Sequence, residues 1–263
     1  MKQTVKYKDG NALSYSEYGD RNGYPILIQH GSVASISDYH LFDSLIAAGR
    51  RLICIARPGY GASSPYQMEN MAEWGTIVSV LVDHLGLAQF DVLGMSSGAP
   101  YSYAIGYKLP DKTRNIYVFS GTPALYDEGV LAHWPYPVKR NASIAEMKQV
   151  AKDVFFSNLT QAGLLRNDIR DSMMNDCFGI ALDLRIRYMD WGFRLSELTQ
   201  PVYMQHSRMD TNVPFATAQM TAKLLPDCRL DVREGEHFSE KTLDQFVKNI
   251  LLGRPENQET ASE

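Results

Sequence analysis

Cysteine is scarce in this chain, with three in 263 residues. Cys54, Cys177 and Cys228 lie far apart and form no Cys-x-x-Cys pair. An odd, scattered set argues against a disulfide framework or a zinc site and suits a reducing compartment, so a cytoplasmic location is expected. Basic excess is lacking as well. Lys and Arg number 26 against 30 Asp and Glu, a net charge of −4. Such a balance offers nothing to hold a phosphate backbone, and no nucleic-acid partner is expected. Also missing is any run of ~18 apolar residues, so no segment is expected to span a membrane. Met1 to Asn11 is polar, carries Lys2, Lys6 and Lys8, and has no apolar h-region, so no secretory signal is expected. On that view the sequons Asn141-Ala142-Ser143 and Asn158-Leu159-Thr160 are chance matches. Internal repeats and low-complexity segments are absent from the sequence too.

What is present is ordinary globular material, 44% hydrophobic and 21% charged. The length fits one large domain, or a domain with an inserted subdomain. A chain of this size can bury roughly three quarters of its unfolded surface and needs no staple of metal or disulfide.

The pattern along the chain alternates. Val5 to Tyr7 and Leu13 to Tyr18 read as short strands around Asp9-Gly10-Asn11. Pro25 to Gln29 and Arg51 to Ala56 are short continuous apolar runs, the signature of buried parallel strands. A helical pattern from Tyr39 to Ala48 separates them. Asn70 to Leu85 is a helix with Ile77, Val78, Leu81, Val82 and Leu85 at helical spacing and Gly86 at its end. Strand Phe90 to Leu93, helix Ala99 to Leu109 and strand Asn115 to Ser120 follow. The alternation then stops. From Thr122 to Leu198 only helical segments are predicted, one of them opened by the capping box Ser143-Ile144-Ala145-Glu146. Strand Pro201 to Gln205, a helix opening at Pro214, strand Arg229 to Arg233 and a last helix near Leu243 to Leu252 complete the order. Strand–helix alternation implies an α/β fold, a mostly parallel eight-stranded sheet flanked by helices with an all-helical insertion after the sixth strand. Residues 1–121 and 199–252 would form the core, 122–198 a lid, and 253–263 a loose tail.

Gly94-Met95-Ser96-Ser97-Gly98 is the strongest local signal. It is a G-x-S-x-G motif set between a strand and a helix, the context that gives it meaning. A sharp strand-to-helix turn would hold Ser96 in a strained conformation. It would also bring the residues two before and two after close together, where only glycine fits. The hydroxyl would then project at a helix N-terminus, where developing negative charge is favoured. A serine needs a base, and the base an orienting acid. Six histidines compete: His30, His40, His84, His133, His206 and His237. His237 follows the eighth strand and lies at the sheet edge where sites in open α/β sheets form, so it is the expected base. Asp210, after the seventh strand, is the expected acid, although an Asp before Pro214 also suits a turn or cap. Asp231, inside a strand, and Asp190, in the insertion, are weaker choices. Two backbone N–H donors for a developing oxyanion are expected at Ser97 and, from the turn His30-Gly31-Ser32-Val33, at Ser32. His30 itself reads as a structural support of that turn.

These features together resemble the α/β-hydrolase family. Ser96, Asp210 and His237 stand in its order of nucleophile, acid and histidine. His30-Gly31 is similar to its oxyanion turn, Arg57-Pro58-Gly59-Tyr60-Gly61-Ala62-Ser63 to its loop after the fourth strand, and Asn212-Val213-Pro214 to the stretch after the acid. The resemblance runs from Val5 to Leu252. Ala56, where relatives often carry an acidic residue, and Ser207, where glycine is common, depart from the pattern. So does the short His-Gly-Ser turn. The family's dehalogenases and epoxide hydrolases use aspartate at the elbow, so a serine there implies acyl-enzyme chemistry. The implied activity is that of a serine hydrolase, most simply a carboxylesterase of small or medium apolar esters, with a small-molecule substrate and no cofactor or metal. C–C bond hydrolysis, peracid formation, aminopeptidase action and a non-catalytic binding role are the alternatives. Aromatic and methionine residues crowd the insertion, and packing is the plain reading for any one of them. Arg166, Arg170, Arg185, Arg187 and Arg194 read as solvated helix faces.

Overall fold

The computed structural model describes residues 2–253, so the expected tail beyond Gly253 lies outside the described residues. Eight strands form one sheet: β1 (Lys2–Lys6), β2 (Ala12–Gly19), β3 (Pro25–Gln29), β4 (Arg51–Ile55), β5 (Phe90–Met95), β6 (Thr113–Phe119), β7 (Val202–Ser207) and β8 (Cys228–Arg233). Their order across the sheet is β1-β2-β4-β3-β5-β6-β7-β8. β2 runs antiparallel to β1 and to β4, and every other pair is parallel. The expected α/β fold is therefore present.

The helices are α1 (Asp43–Ala47), α2 (Ala72–His84), α3 (Ala99–Lys108), α4 (Glu128–Leu131), α5 (Ile144–Ala151), α6 (Asn167–Ile186), α7 (Phe215–Lys223) and α8 (Glu240–Phe246). Period-two alternation assigns each strand residue to one of two apolar layers. Ile26 and Ile28 of β3 and Leu52 and Cys54 of β4 join Leu45 of α1 and Phe246 of α8 on one face. Leu27, Ile53 and Ile55 join Trp74, Val78 and Leu81 of α2 and Ala104 of α3 on the other. All four β3 residues from Ile26 to Gln29 are buried, as a strand covered on both faces must be.

Between residues 122 and 198 every described residue is helical, turn or irregular. Ser143 and Glu146 form the expected capping box at α5. The insertion shares the core's layers. Leu182, Ile186, Trp191 and Phe193 pack into one, while Cys177, Ile180 and Leu184 pack into the other. α6 is broken near its middle, where Asn175, Asp176 and Cys177 take positive φ of 54°, 60° and 60°. Three consecutive left-handed residues, none of them glycine, reverse the helix locally. The last helix starts at Glu240, three residues before the expected Leu243, because Ser239 caps it by accepting from Thr242 N at 3.1 Å. Among the described residues no helix is long and apolar enough to cross a membrane, and no cluster of three or more His, Cys, Asp or Glu could hold a metal ion.

Candidate active site

The site lies at the C-terminal ends of β5, β7 and β8, where loops emerge from one edge of the sheet. Ser96 sits at the turn from β5 to α3 with a φ of 48°. The two glycines of the motif are required by space. A Cβ on Gly94 would lie 2.3 Å from Ser102 Oγ and 2.9 Å from Gly98 O, and one on Gly98 would lie 2.2 Å from Gln29 O. Real Cβ atoms do not approach so closely, so a larger residue at either place would push the elbow apart. Thr122 N donates to Ser96 O at 2.9 Å and anchors the strained residue from the neighbouring β6 end.

His237 and Asp210 converge on Ser96. His237 Nε2 is 3.0 Å from Ser96 Oγ, and its Nδ1 is 2.7 Å from Asp210 Oδ2. With a carboxylate oxygen facing Nδ1, that nitrogen carries the proton and leaves Nε2 free to accept from the serine. Asp210 also serves the turn that carries it: its Oδ1 accepts from Asn212 N and Val213 N, each at 2.8 Å. One oxygen of this carboxylate thus faces His237 while the other holds the turn.

Burial alone would raise the Asp210 carboxyl. Hydrogen bonds from His206, His237 and Val213 N outweigh it and hold the group well below the ordinary carboxylate range. His206 is the unforeseen member. It is fully buried, with Nε2 2.8 Å from Val213 O and 3.2 Å from Asp210 Oδ2. Both neighbours accept, so Nε2 bears the proton. Ser207, the departure from glycine, donates to Gly235 O and so pins the loop of His237 to the loop of Asp210. Gly235 itself has a φ of 121°, which a side chain would strain.

The other candidates stand apart. His40, His84 and His133 are exposed. Asp231 pairs with Arg233 and Asp190 with Arg194, each at 2.9 Å. His30 is buried, its Nε2 faces Arg57 N at 3.3 Å, and its Nδ1 faces Gly31 O at 2.7 Å. Burial and the adjacent Arg57 cation hold it well below the usual histidine range, so it stays neutral and supports its turn. That turn abuts Ser96, since a Cβ on Gly31 would be 3.8 Å from Ser96 Cβ.

Beside the turn lies a cluster whose members are far apart in the sequence. Arg57, 1% exposed, forms an ion pair of 2.6 Å with Asp183 of α6, 4% exposed. Tyr60 and Tyr101 both donate to the same carboxylate. Burial opposes the Arg57 charge, but Asp183 and the two tyrosines more than offset it and keep the guanidinium protonated.

A model of the α/β hydrolase fold matches residues 24–239 of the chain. The chain belongs to the α/β-hydrolase fold family. This family member is 30% identical over 114 residues to an uncharacterized hydrolase of Bacillus subtilis, a stretch covering 43% of this chain and 39% of that protein. The chain therefore matches about two fifths of that relative's length. It is 25% identical over 228 residues to a 2-hydroxy-6-oxononadienedioate/2-hydroxy-6-oxononatrienedioate hydrolase of Cupriavidus pinatubonensis, covering 79% of this chain and 78% of that one. A solved esterase from Exiguobacterium antarcticum superposes on this α/β-hydrolase fold with a TM-score of 0.72 at 18% identity, over 94% of this chain and 98% of that chain. At that identity the likeness speaks for the fold.

Of two sequence expectations about the insertion of this family member, the structure agrees with one and corrects the other. Trp134, Phe156, Tyr188, Trp191 and Phe193 are buried, which is the plain packing role. Arg185 and Arg187, expected on solvated faces, are half-buried instead. Arg185 Nε donates to Ala142 O at 3.1 Å, and the Arg187 guanidinium lies 4.7 Å from the Tyr188 ring centroid and 5.4 Å from that of Trp134. Long apolar stems and a flat cation suit such half-buried sites.

Proposed function

We propose that this chain is a serine hydrolase that cleaves small or medium apolar carboxylic esters through an acyl-enzyme. The observation that carries the reading is the unbroken chain Ser96 Oγ, His237 Nε2, His237 Nδ1, Asp210 Oδ2, with links of 3.0 Å and 2.7 Å. In the first half-reaction Ser96 Oγ attacks the carbonyl carbon as its proton passes to His237 Nε2. The resulting oxyanion takes hydrogen bonds from Ser32 N–H and Ser97 N–H. Collapse breaks the ester C–O bond while His237 returns the proton to the leaving alcohol. Water then attacks the acyl-enzyme, gives a proton to His237, and the acid leaves as Ser96 regains it. Asp210 keeps the imidazole oriented and stabilises its cationic form.

The insertion, residues 122–198, is proposed as the roof over this edge. Tyr136 Oη donates to Thr211 O in the acid loop at 3.0 Å, and Ser172 Oγ accepts from Ala34 N beyond the oxyanion turn at 3.0 Å. The roof thus touches both flanks of the site. An uncharged ester suits it better than a dioate of the kind named for the Cupriavidus relative. Two carboxylates call for cations to receive them, whereas Arg57, the cation against the turn, is already matched by Asp183. Hydrolysis of p-nitrophenyl acetate and butyrate, set beside a 2-hydroxy-6-oxo dioate, tests the reading. The esters should be cleaved by wild type and not by Ser96→Ala. Equal slow cleavage by both proteins would reject it.

A further inference from the structure

We infer that Arg57, ion-paired with Asp183 from the insertion, is the positioning residue that shapes the oxyanion turn. The inference rests on the serine-hydrolase reading for its kinetic consequence, though its structural part does not. Arg57 Nη2 donates to Gly31 O at 2.9 Å and to Ser97 Oγ at 3.2 Å, and Nη1 donates to His30 O. Tyr60 Oη lies 2.9 Å from Ser32 O and 2.8 Å from Asp183 Oδ2. Three successive carbonyls of the turn, those of His30, Gly31 and Ser32, therefore face one buried cluster.

A trans peptide is planar, so its C=O and N–H point in opposite directions. Gly31 C=O and Ser32 N–H belong to the same peptide unit. Fixing the carbonyl on Arg57 turns the Ser32 N–H away from the cluster and into the space beside Ser96. The same guanidinium holds Ser97 Oγ, the side chain of the residue that supplies the other N–H. One side chain thus reaches both sides of the expected hole. The cluster is sealed and its charges are matched. Asp183 Oδ1 accepts from Arg57 Nε at 3.2 Å and from Tyr101 Oη, while Oδ2 accepts from Arg57 Nη2 at 2.6 Å. A planar fork of five donors is what allows one cation to bind a carboxylate on one edge and backbone carbonyls on the other. Since Asp183 lies on α6, docking of the insertion and the shape of the turn are one event. Ser172 and Asp171, from the other half of α6, hold Ala34 and Ser35 just beyond the turn.

The test uses the double variant Arg57→Met/Asp183→Leu, which removes both charges so that neither is left buried and alone, with Arg57→Lys beside it. Circular dichroism and thermal unfolding establish that the variants fold. Two measurements follow. Amide hydrogen exchange should rise at least about tenfold across residues 30–34 in the double variant and stay unchanged across the elbow, residues 94–99. Steady-state ester hydrolysis, normalised to sites titrated by a fluorophosphonate, should lose about 30- to 300-fold in kcat with KM within threefold, since losing an oxyanion donor costs on the order of 100- to 1000-fold. Arg57→Lys, which keeps the charge but not the fork, should fall between. A role in stability alone would lower the titrated fraction and leave kcat per site intact. A folded double variant with unaltered exchange at residues 30–34, or with wild-type kcat per site, overturns the inference. If wild type cleaves no ester while exchange at the turn rises as stated, the hydrolase reading fails and the structural inference stands.

Discussion

Two buried carboxylates reach the elbow through one side chain each, Asp210 through His237 and Asp183 through Arg57, and they are treated in opposite ways. Asp183 meets a full cation, Arg57, and two tyrosine hydroxyls inside a sealed cluster whose ion-pair partners are 1% and 4% exposed. Asp210 is just as buried, but its partners are His206 and His237, and His237 remains 14% exposed. A permanently charged guanidinium cannot give up its proton near neutral pH, whereas an imidazole can take one and return it. The sealed cluster is therefore suited to holding shape, and the open one to moving a proton. Charge type and solvent access, more than proximity to the serine, separate a structural carboxylate from a chemical one.

Substitutions that cross this division should behave differently. The largest effect is expected at the open site. Ser96→Ala should lower ester turnover by about ten-thousand-fold or more, equivalent to about 5 kcal/mol of barrier, with a thermal midpoint close to wild type. Asp183→Asn, unlike Ser96→Ala, should lower stability strongly. It strands a buried cation, so the denaturant midpoint should fall by the equivalent of about 3–5 kcal/mol, and Arg57→Met/Asp183→Leu should recover most of that loss. If Asp183→Asn leaves stability unchanged, the cluster is not the sealed ion pair described here.

The pH dependence sharpens the contrast, because Arg57 is held protonated by its partners while burial and the Arg57 cation hold His30 neutral. His30 has a folded pKa below its unfolded one, so the unfolded chain binds the extra proton. Stability is then fully present above about pH 6.5 and declines as the pH falls below it, by up to about 1.4 kcal/mol per unit. Asp210 is also depressed, and its contribution is present above about pH 4 and lost as the pH falls further. Urea unfolding between pH 7 and pH 5 should show the first decline, and His30→Gln should flatten it. An unchanged slope in that variant would remove His30 as the cause. The smallest effect belongs to the insertion's surface. Ser143→Ala, which breaks the α5 capping box, should cost about 1 kcal/mol in thermal unfolding and leave turnover alone. A loss of turnover there would mean that α5 bears on the site.

Legibility in the sequence followed the range of the interaction. Ser96 was readable because strand, glycines and helix are contiguous, and His237 and Asp210 because each lies in a loop that follows a strand pattern. Asp183 was not, since its partner Arg57 lies 126 residues away and nothing local marks it. The one clue was an acid within Ile180-Ala181-Leu182-Asp183-Leu184, since a charge amid apolar residues must find a partner. His206 ends a strand pattern like any buried residue, and only the fold brings its Nε2 to Asp210. Arg57 was visible as part of a loop resembling the family's, yet its reach to the carbonyls of His30 and Gly31 and to Ser97 appears only in the fold. The break in α6 falls at Asn175, Asp176 and Cys177, none of them glycine or proline, within a stretch that reads as one continuous helix.

The central claim is that Ser96 is an activated nucleophile. Intact-mass and peptide mass spectrometry after brief exposure of the folded protein to a fluorophosphonate tests it most directly. One adduct is expected, on Ser96, absent in Ser96→Ala and strongly slowed in His237→Ala. A folded wild-type protein that takes no adduct, or takes it on another residue at the same rate as Ser96→Ala, would contradict the account.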